Sequence, residues 1–111
     1  MKSPKRILAA LAAAYCVSLA AHADCVLPPP PSKIPDGKTA SKEEMATALD
    51  TMKEYNSDVE TYLKCLDFEA KQHHLSTSEQ DSRHNSAVDT LQKVANKFNE
   101  QVRTYNKAKN G

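Results

Sequence analysis

The sequence predicts an all-α fold: an antiparallel two-helix hairpin with coiled-coil-like packing, preceded by an extended proline-rich arm that a disulfide pins to the first helix. Three observations predict this fold. Two long segments repeat apolar residues in alternating steps of three and four. The segment before them contains four consecutive prolines, and the chain after residue 23 keeps two cysteines, Cys25 and Cys65.

Residues 1–23 have the three parts of a bacterial secretory signal peptide. The first six residues include three basic ones, an apolar stretch rich in alanine and leucine follows, and small residues precede Asp24. The apolar stretch is shorter than the ~20 residues of a membrane-spanning helix, which makes an anchor the weaker alternative. We therefore predict cleavage between Ala23 and Asp24 and a periplasmic or secreted protein.

The predicted mature chain is small and close to neutral. Cleavage leaves 88 of the 111 residues, and removing the three basic residues of the signal from 15 basic and 14 acidic residues leaves a net charge of −2. A net charge this close to zero does not favour binding to nucleic acid. The sequence contains no second long apolar run, so it predicts no membrane span in the mature chain. We divide the chain into a signal peptide (1–23), an arm (24–40) and a helical hairpin (41–111).

Cys25 and Cys65 predict one disulfide. Exported domains reach an oxidising compartment, where an even number of cysteines is typical of structural bridges. A pair of free thiols with a redox role is the alternative, although the spacing is far from that of C-x-x-C motifs. We expect a structural bond, which contributes about 4 kcal/mol in the chain-entropy model for a loop of this length.

Residues 24–40 have the composition of an extended arm. Pro28–Pro31 follow one another, and because proline fixes φ and lacks an amide hydrogen, the segment favours a polyproline conformation. The sequence Pro35-Asp36-Gly37 predicts a turn, with proline at the first corner and glycine supplying a positive φ. The chain is therefore expected to reverse its direction just before the first helix.

The first helix is predicted to begin at Ser41. Ser41 and Glu44 match a capping box, in which the serine hydroxyl accepts from the Glu44 amide and the glutamate reaches back. Seven apolar residues then recur at helical spacing, and Leu49 and Leu63 widen their stripe. The seven are Met45, Ala48, Met52, Tyr55, Val59, Tyr62 and Leu66.

The second helix is predicted to begin at Ser76 or Ser78. Ser76 with Glu79, and Ser78 with Asp81, both fit a cap pair. Apolar residues then recur in strictly alternating steps of three and four, and the segment shows no period-two pattern that would predict a strand. The apolar residues of this second stripe are Val88, Leu91, Ala95, Phe98, Val102 and Tyr105.

A reversal near Leu75 brings the two stripes together. For antiparallel helices joined by a short loop, facing residue numbers then sum to about 150. The arm is long enough to run antiparallel along the hairpin to the start of the first helix, which places Ile34 beside Met45 or Leu49. The predicted pairs are Leu63 with Val88, Val59 with Leu91, Tyr55 with Ala95, Met52 with Phe98, and Met45 with Tyr105.

Several short motifs give the chain a resemblance to a known family. They are Cys25 with the proline-rich arm, Ile34-Pro35-Asp36-Gly37, Thr39-Ala40, Glu43-Glu44-Met45 and Tyr62-Leu63-Lys64-Cys65-Leu66. In these motifs, which lie within residues 25–66, the chain resembles small uncharacterised proteobacterial proteins that are secreted or periplasmic. The resemblance implies export and a bond between Cys25 and Cys65. It implies no activity, because none is assigned to the family.

Three histidines near the predicted reversal, His73, His74 and His84, are the candidate metal ligands. Imidazoles close to carboxylates are ligand types that zinc and copper accept. The spacing is not an established ligand pattern, and adjacent helical residues point in different directions. We expect solvated polar residues here and no cofactor, with metal binding as the alternative. The nearby carboxylates are those of Asp67, Glu69 and Asp81.

The sequence offers no catalytic site. Asp81, Ser82 and His84 are the residue types of a hydrolase triad, but nothing resembles a nucleophile elbow or an oxyanion hole, and the chain has only two glycines. The methionines and tyrosines of the first stripe are expected to fill the helix interface rather than to bind a cofactor. We predict no enzyme activity.

The predicted function is that of an exported, non-enzymatic protein of the bacterial envelope with a structural or protein-interaction role. In a fold of two helices and an arm, each element buries only one stripe, so some apolar surface such as Phe68 is expected to stay exposed. This surface favours binding to an envelope protein, or self-association into a four-helix bundle. The alternative is a periplasmic metal-binding protein that uses the histidine cluster at the hairpin tip.

Overall fold

The computed structural model describes residues 24–110, and in that range it contains two long helices and no strand. Helix α1 spans Lys42–Lys71 and helix α2 spans Thr77–Asn110. The helices pack against each other and are joined by the short connection 72–76. The predicted all-α hairpin is confirmed. The predicted signal peptide with Ala23, and the terminal Gly111, lie outside the described residues.

Serine caps both helix starts, as the sequence predicts. At α1, the Ser41 hydroxyl accepts from the Glu44 amide at 3.0 Å, and Glu44 Oε2 accepts from the Ser41 amide at 2.7 Å. At α2, Ser76 rather than Ser78 takes the cap position, and its hydroxyl accepts from the Glu79 amide at 3.1 Å. These contacts satisfy amides that the first turn of a helix leaves unpaired, so both helices have a defined start.

The core consists of one stripe of α1 packed against a smaller set of α2 residues. Val59 and Leu66 are fully enclosed, with 0% and 1% of their surface exposed. Within the described part of α2, Ala87 and Phe98 are buried, whereas the rest of its predicted stripe is half-buried. Two helices cover only one side of each other, so the edges of their interface stay accessible. The remaining buried apolar residues are Ala40, Met45, Met52, Tyr55 and Tyr62.

Across residues 24–110, neither helix combines the length and the apolar character of a membrane span. The exposed side of α1 carries charged residues such as Glu54 and Lys64. This pattern is that of an amphipathic helix with one buried stripe.

The arm, residues 24–40, is buried at every third position. A polyproline helix has three residues per turn, so from Cys25 to Ile34 this period is that of one edge of the arm packed against the hairpin, whereas Gly37 and Ala40 belong to the turn before α1. Apart from the half-buried Pro35, the residues between these positions are exposed, including Val26 and Leu27 at 79% and 53%. The predicted extended arm therefore docks along a single edge. The buried or half-buried positions are Cys25, Pro28, Pro31, Ile34, Gly37 and Ala40.

The arm lies in one of the two grooves between the helices. Pro35 lines a depression with Ala48 of α1, and with Ile34 it lines another with Gln101 of α2. Ile34 packs against the buried core. Leu49, one of its two predicted neighbours, lines a separate groove that contains no arm residue.

The turn before α1 begins two residues later than predicted, with Gly37 rather than Pro35 at its first corner. The amides of Thr39 and Ala40 donate to the Asp36 carbonyl at 3.1 and 2.9 Å, and the Lys38 amide donates to Asp36 Oδ1 at 2.9 Å. The aspartate therefore organises the turn through both its backbone and its side chain. Pro35 precedes the turn and does not occupy its first corner.

Glycine is needed at position 37 for a reason other than the predicted one. Gly37 does not adopt a positive φ, so the predicted conformational role is wrong. Instead, a Cβ atom there would collide with the carbonyl oxygen of Gln101 and would lie 2.8 Å from the amide nitrogen of Tyr105. The backbone of the turn thus packs directly on the backbone of α2, which only glycine permits.

Candidate functional site

The disulfide fixes the start of the arm close to the hairpin tip. Cys25 and Cys65 form a bond, with their Cα atoms 5.6 Å apart. Cys65 lies less than two turns before the end of α1 at Lys71. The cross-link joins positions 40 residues apart and encloses the whole arm and most of α1.

The end of α1 is a Schellman motif in which histidine takes the usual place of glycine. The His73 amide donates to the Ala70 carbonyl at 3.1 Å, and the His74 amide donates to the Glu69 carbonyl at 2.9 Å. His73 has a φ of 60°, a left-handed conformation that costs a residue with a Cβ atom about 1–2 kcal/mol. This motif ends α1 and begins the reversal of the chain.

The side chains of the same motif form a polar contact, which we call the tip clasp. His74 Nδ1 lies 2.8 Å from Glu69 Oε2. In Schellman motifs an apolar contact frequently joins the corresponding positions. Glu69 is only 8% exposed, so the imidazole replaces part of the water that the carboxylate loses on folding. The clasp therefore has a structural role in closing the tip.

The three candidate metal ligands are not gathered into one ligand group. His73 and His84 are exposed, and His74 belongs to the tip clasp. Within residues 24–110, no three histidine, cysteine, aspartate or glutamate side chains lie close enough together to hold a metal ion. Metal binding at the tip would therefore require these side chains to move.

A cleft of about 350 Å³ lies between the tip and the start of the arm. Asp24, the predicted first residue of the mature chain, lines it together with the tip clasp. Arg83 Nη2 also lines the cleft and donates to Glu79 Oε1 at 2.9 Å. The Glu69 and Glu79 carboxylates are thus paired within the cleft, by His74 and Arg83 respectively.

Asp81, Ser82 and His84, the residue types of a hydrolase triad, are exposed positions in the first turns of α2. Their placement is therefore that of solvated surface residues.

An apolar groove lies between the helices on the side that the arm leaves uncovered, and we call it the open groove. Its volume is about 610 Å³. Leu49, at its edge, is 43% exposed, and no arm residue lines it. Its apolar lining residues are Leu49, Met52, Leu91, Ala95 and Phe98, and its polar ones are Lys53, Asn56, Gln92 and Asn99.

The open groove is nearly free of charge. Lys53 is its one charged lining residue, and the other polar lining residues are amides. Depletion of charged residues around an apolar centre is typical of the buried part of protein interfaces. Met52 and Phe98 both line the groove, as their predicted pairing requires.

Burial raises the pKa of Tyr55, because the apolar surroundings disfavour the phenolate. Tyr55 is part of the core and only 4% exposed. The core therefore favours the neutral phenol.

Two features of the tip and the groove escape sequence reasoning. The Schellman motif carries no glycine, so its usual signal is missing at His73. The open groove had a signal in the width of the first stripe, since Leu49 lies beyond the residues that the second helix can cover. The sequence predicts Ile34 beside Met45 or Leu49, whereas the structure places Leu49 in the groove that contains no arm residue.

No protein-family model, curated protein sequence or solved structure matches this chain. The resemblance of residues 25–66 to secreted proteobacterial proteins therefore stays a prediction. The fold itself defines the class: a two-helix hairpin with an extended, disulfide-linked arm in one of its grooves.

Proposed function

We propose that this chain is an exported, non-enzymatic protein-interaction module of the bacterial envelope that works through the open groove. The observation that carries the proposal is the asymmetry of the hairpin. The arm occupies one groove between the helices, while the other contains no arm residue and leaves Leu49 exposed at its edge. A helical partner laid into this groove would remove apolar surface from water, which favours association.

The rigid frame around the groove also favours binding. The disulfide, the serine caps and the tip clasp each restrict the hairpin before any partner arrives. A preorganised surface loses less conformational entropy on association, so more of the contact energy is available as affinity.

Export is supported by two independent features. Residues 1–23 have the pattern of a secretory signal, and the bond between Cys25 and Cys65 is of a kind that persists in oxidising compartments. An envelope location also brings the groove into contact with other exported proteins.

The test is site-specific photocrosslinking in the native envelope. A crosslinking residue at Leu49 reports on the open groove, and the same residue at Phe68 is the matched control. Phe68, which the sequence suggests as binding surface, is also large, exposed (59%) and on α1. It is rotated about 100° away from Leu49 and does not line the open groove, so it tests which of the two surfaces binds. We expect a discrete crosslinked protein from position 49 and none from position 68. No adduct at either position, or equal yields, would contradict the proposal.

The metal-binding alternative has a separate test. Calorimetric titration of the oxidised protein with zinc or copper is compared with the same titration of a variant that has alanine at His73, His74 and His84. Heat at micromolar metal that disappears in a folded variant would favour this alternative. No heat from the parent protein would exclude it.

A further inference from the structure

We infer that the occupant of the open groove is a second copy of this chain, with its α1 antiparallel to α1 of the first copy and the twofold axis beside Asn56. This inference rests on the proposed function and names the partner of the same groove. The result is a four-helix bundle in which each copy covers the groove of the other.

The α1 border of the groove is a stripe with a defined order of charges. Leu49, Lys53 and Asn56 line the groove, and Glu60 and Leu63 continue the stripe in further steps of four and three. Glu60 is exposed and accepts a hydrogen bond from Asn56 Nδ2 at 3.5 Å. Along the stripe, an apolar residue at each end therefore encloses a positive, a neutral and a negative side chain, in that order.

This order is complementary to itself when two copies run antiparallel. With the axis beside Asn56, Lys53 faces Glu60 of the second copy, and Leu49 faces its Leu63. The twofold axis repeats both contacts, so two unlike charge pairs flank the centre. An axis at Lys53 would instead place two lysines opposite each other. The charges thus favour one register over its neighbours.

The α2 border of the groove fits the same axis. At the level of Asn56, the hairpin brings Gln92 and Ala95 of α2 to the groove. The small side chain of Ala95 permits close approach of a second helix. The amide of Gln92 can both donate and accept, so it can pair with its own equivalent. No charged α2 residue lines this part of the groove, so α2 brings no unpaired charge to the contact.

The available area is that of a specific interface. A helix of 30 residues is about 45 Å long, and two adjacent helices present a face about 20 Å wide. Such a face offers on the order of 900 Å² per copy, close to the ~800 Å² per partner of standard protein–protein interfaces. A second copy that covers the whole face would therefore bury an area typical of a specific interface.

The first test is charge exchange, measured by sedimentation velocity over a range of concentrations. Lys53→Glu alone places like charges opposite each other twice per dimer, as does Glu60→Lys, and each should weaken self-association at least tenfold. The double variant Lys53→Glu/Glu60→Lys restores unlike pairs and should restore association. Equal loss in the double variant, with helicity retained by circular dichroism, would overturn the inferred register.

A second pair of variants tests which face of α1 mediates self-association. Leu49→Lys should abolish association because it places a charge in the open groove. Phe68→Lys, the matched change on another face of α1, should leave association unchanged. Equal effects of the two changes would overturn the assignment of the groove.

Photocrosslinking at Leu49 separates the failure of this inference from that of the proposed function. An adduct of twice the protein's own mass supports the second copy. A protein that is monomeric at all concentrations but crosslinks to a different protein overturns the second copy and leaves the proposed function standing. A monomer without any adduct overturns both.

Discussion

The backbone amide of Gly37 donates a hydrogen bond of 2.8 Å to Gln101 Oε1, across 64 positions of sequence. This bond attaches the turn before α1 to the far end of α2. At its other end, the arm is attached to α1 through Cys25 and Cys65. The arm therefore joins the two helices independently of the loop at the tip, and both of its attachments can be tested.

Removing the acceptor at position 101 should destabilise the fold. Gln101→Leu keeps a similar volume but leaves the buried Gly37 amide without its partner, which costs about 1–3 kcal/mol. Gln101→Glu keeps an acceptor oxygen and should have a smaller effect. Urea unfolding of the two variants measures the difference, and equal destabilisation would show that the hydrogen bond is not responsible.

A methyl group at position 37 should also destabilise the fold. In Gly37→Ala, the new Cβ meets the α2 backbone at Gln101 and Tyr105, so the turn must move away. Overpacking of this kind costs about 1–3 kcal/mol. The exposed neighbour provides the control, Lys38→Ala, which should change the unfolding free energy by less than about 0.5 kcal/mol. A Gly37→Ala protein as stable as the parent would show that the close approach is not maintained in solution.

Opening the disulfide should lower stability by about 4 kcal/mol, because the bond restricts a 40-residue separation in the unfolded chain. Chemical unfolding with and without reductant measures this loss. In the double variant Cys25→Ala/Cys65→Ala, stability should be low and independent of reductant. Thiol labelling of the native, unreduced protein should find no free cysteine after residue 23, and quantitative labelling there would contradict the cross-link.

The same substitution at two histidines should have opposite effects. His73→Gly removes the cost of a left-handed backbone at a residue with a Cβ atom, and should stabilise the protein by up to about 1 kcal/mol. His84→Gly, within α2, should destabilise it by a few tenths of a kcal/mol, because glycine is a poorer helix former. Thermal unfolding compares the two variants. Destabilisation by both would argue against the Schellman geometry at the tip.

The raised pKa of Tyr55 predicts a loss of stability at alkaline pH. The folded state holds the phenolic proton more tightly than the unfolded state, whose pKa is about 10. The contribution of Tyr55 is therefore complete below about pH 10 and is lost as the pH rises through the folded pKa. Tyr55→Phe should flatten this decline in urea unfolding between about pH 9 and 11. If the unfolding free energy of parent and variant changed with pH in the same way, the predicted contribution of Tyr55 would be contradicted.

The helices could be predicted because their signals are local and agree with one another. The capping box at Ser41 and the stripe from Met45 to Leu66 each specify the same helix, and the structure confirms both. The predicted disulfide is likewise consistent with the length of the arm, which is sufficient to reach from Cys65 to the start of α1. Periodicity, caps and chain length are all visible in one sequence.

The open groove and the role of Gly37 could not be predicted, since both depend on which side of the hairpin the arm takes. The burial period fixes which residues of the arm face inward, but not the groove that receives them. Once the arm packs against Gln101, glycine is required by contact with α2, and Leu49 is left on the other side. Both outcomes follow from tertiary packing that no local pattern encodes.

The two attachments of the arm couple its length to the length of α1, and the period of three in the arm sets the size of each step. Both ends of the arm are attached, one at Cys65 and the other at the helix start, so neither segment can change length alone. Seven residues added to α1 before Cys65 would lengthen it by about 10.5 Å, and three residues added to the arm would lengthen it by about 9 Å. Each insertion also keeps the inward face of its own segment. Because Gly37 also contacts Gln101, α2 must gain the same seven residues before Gln101. Insertions and deletions in natural or designed variants should therefore come in matched units of seven in each helix and three in the arm.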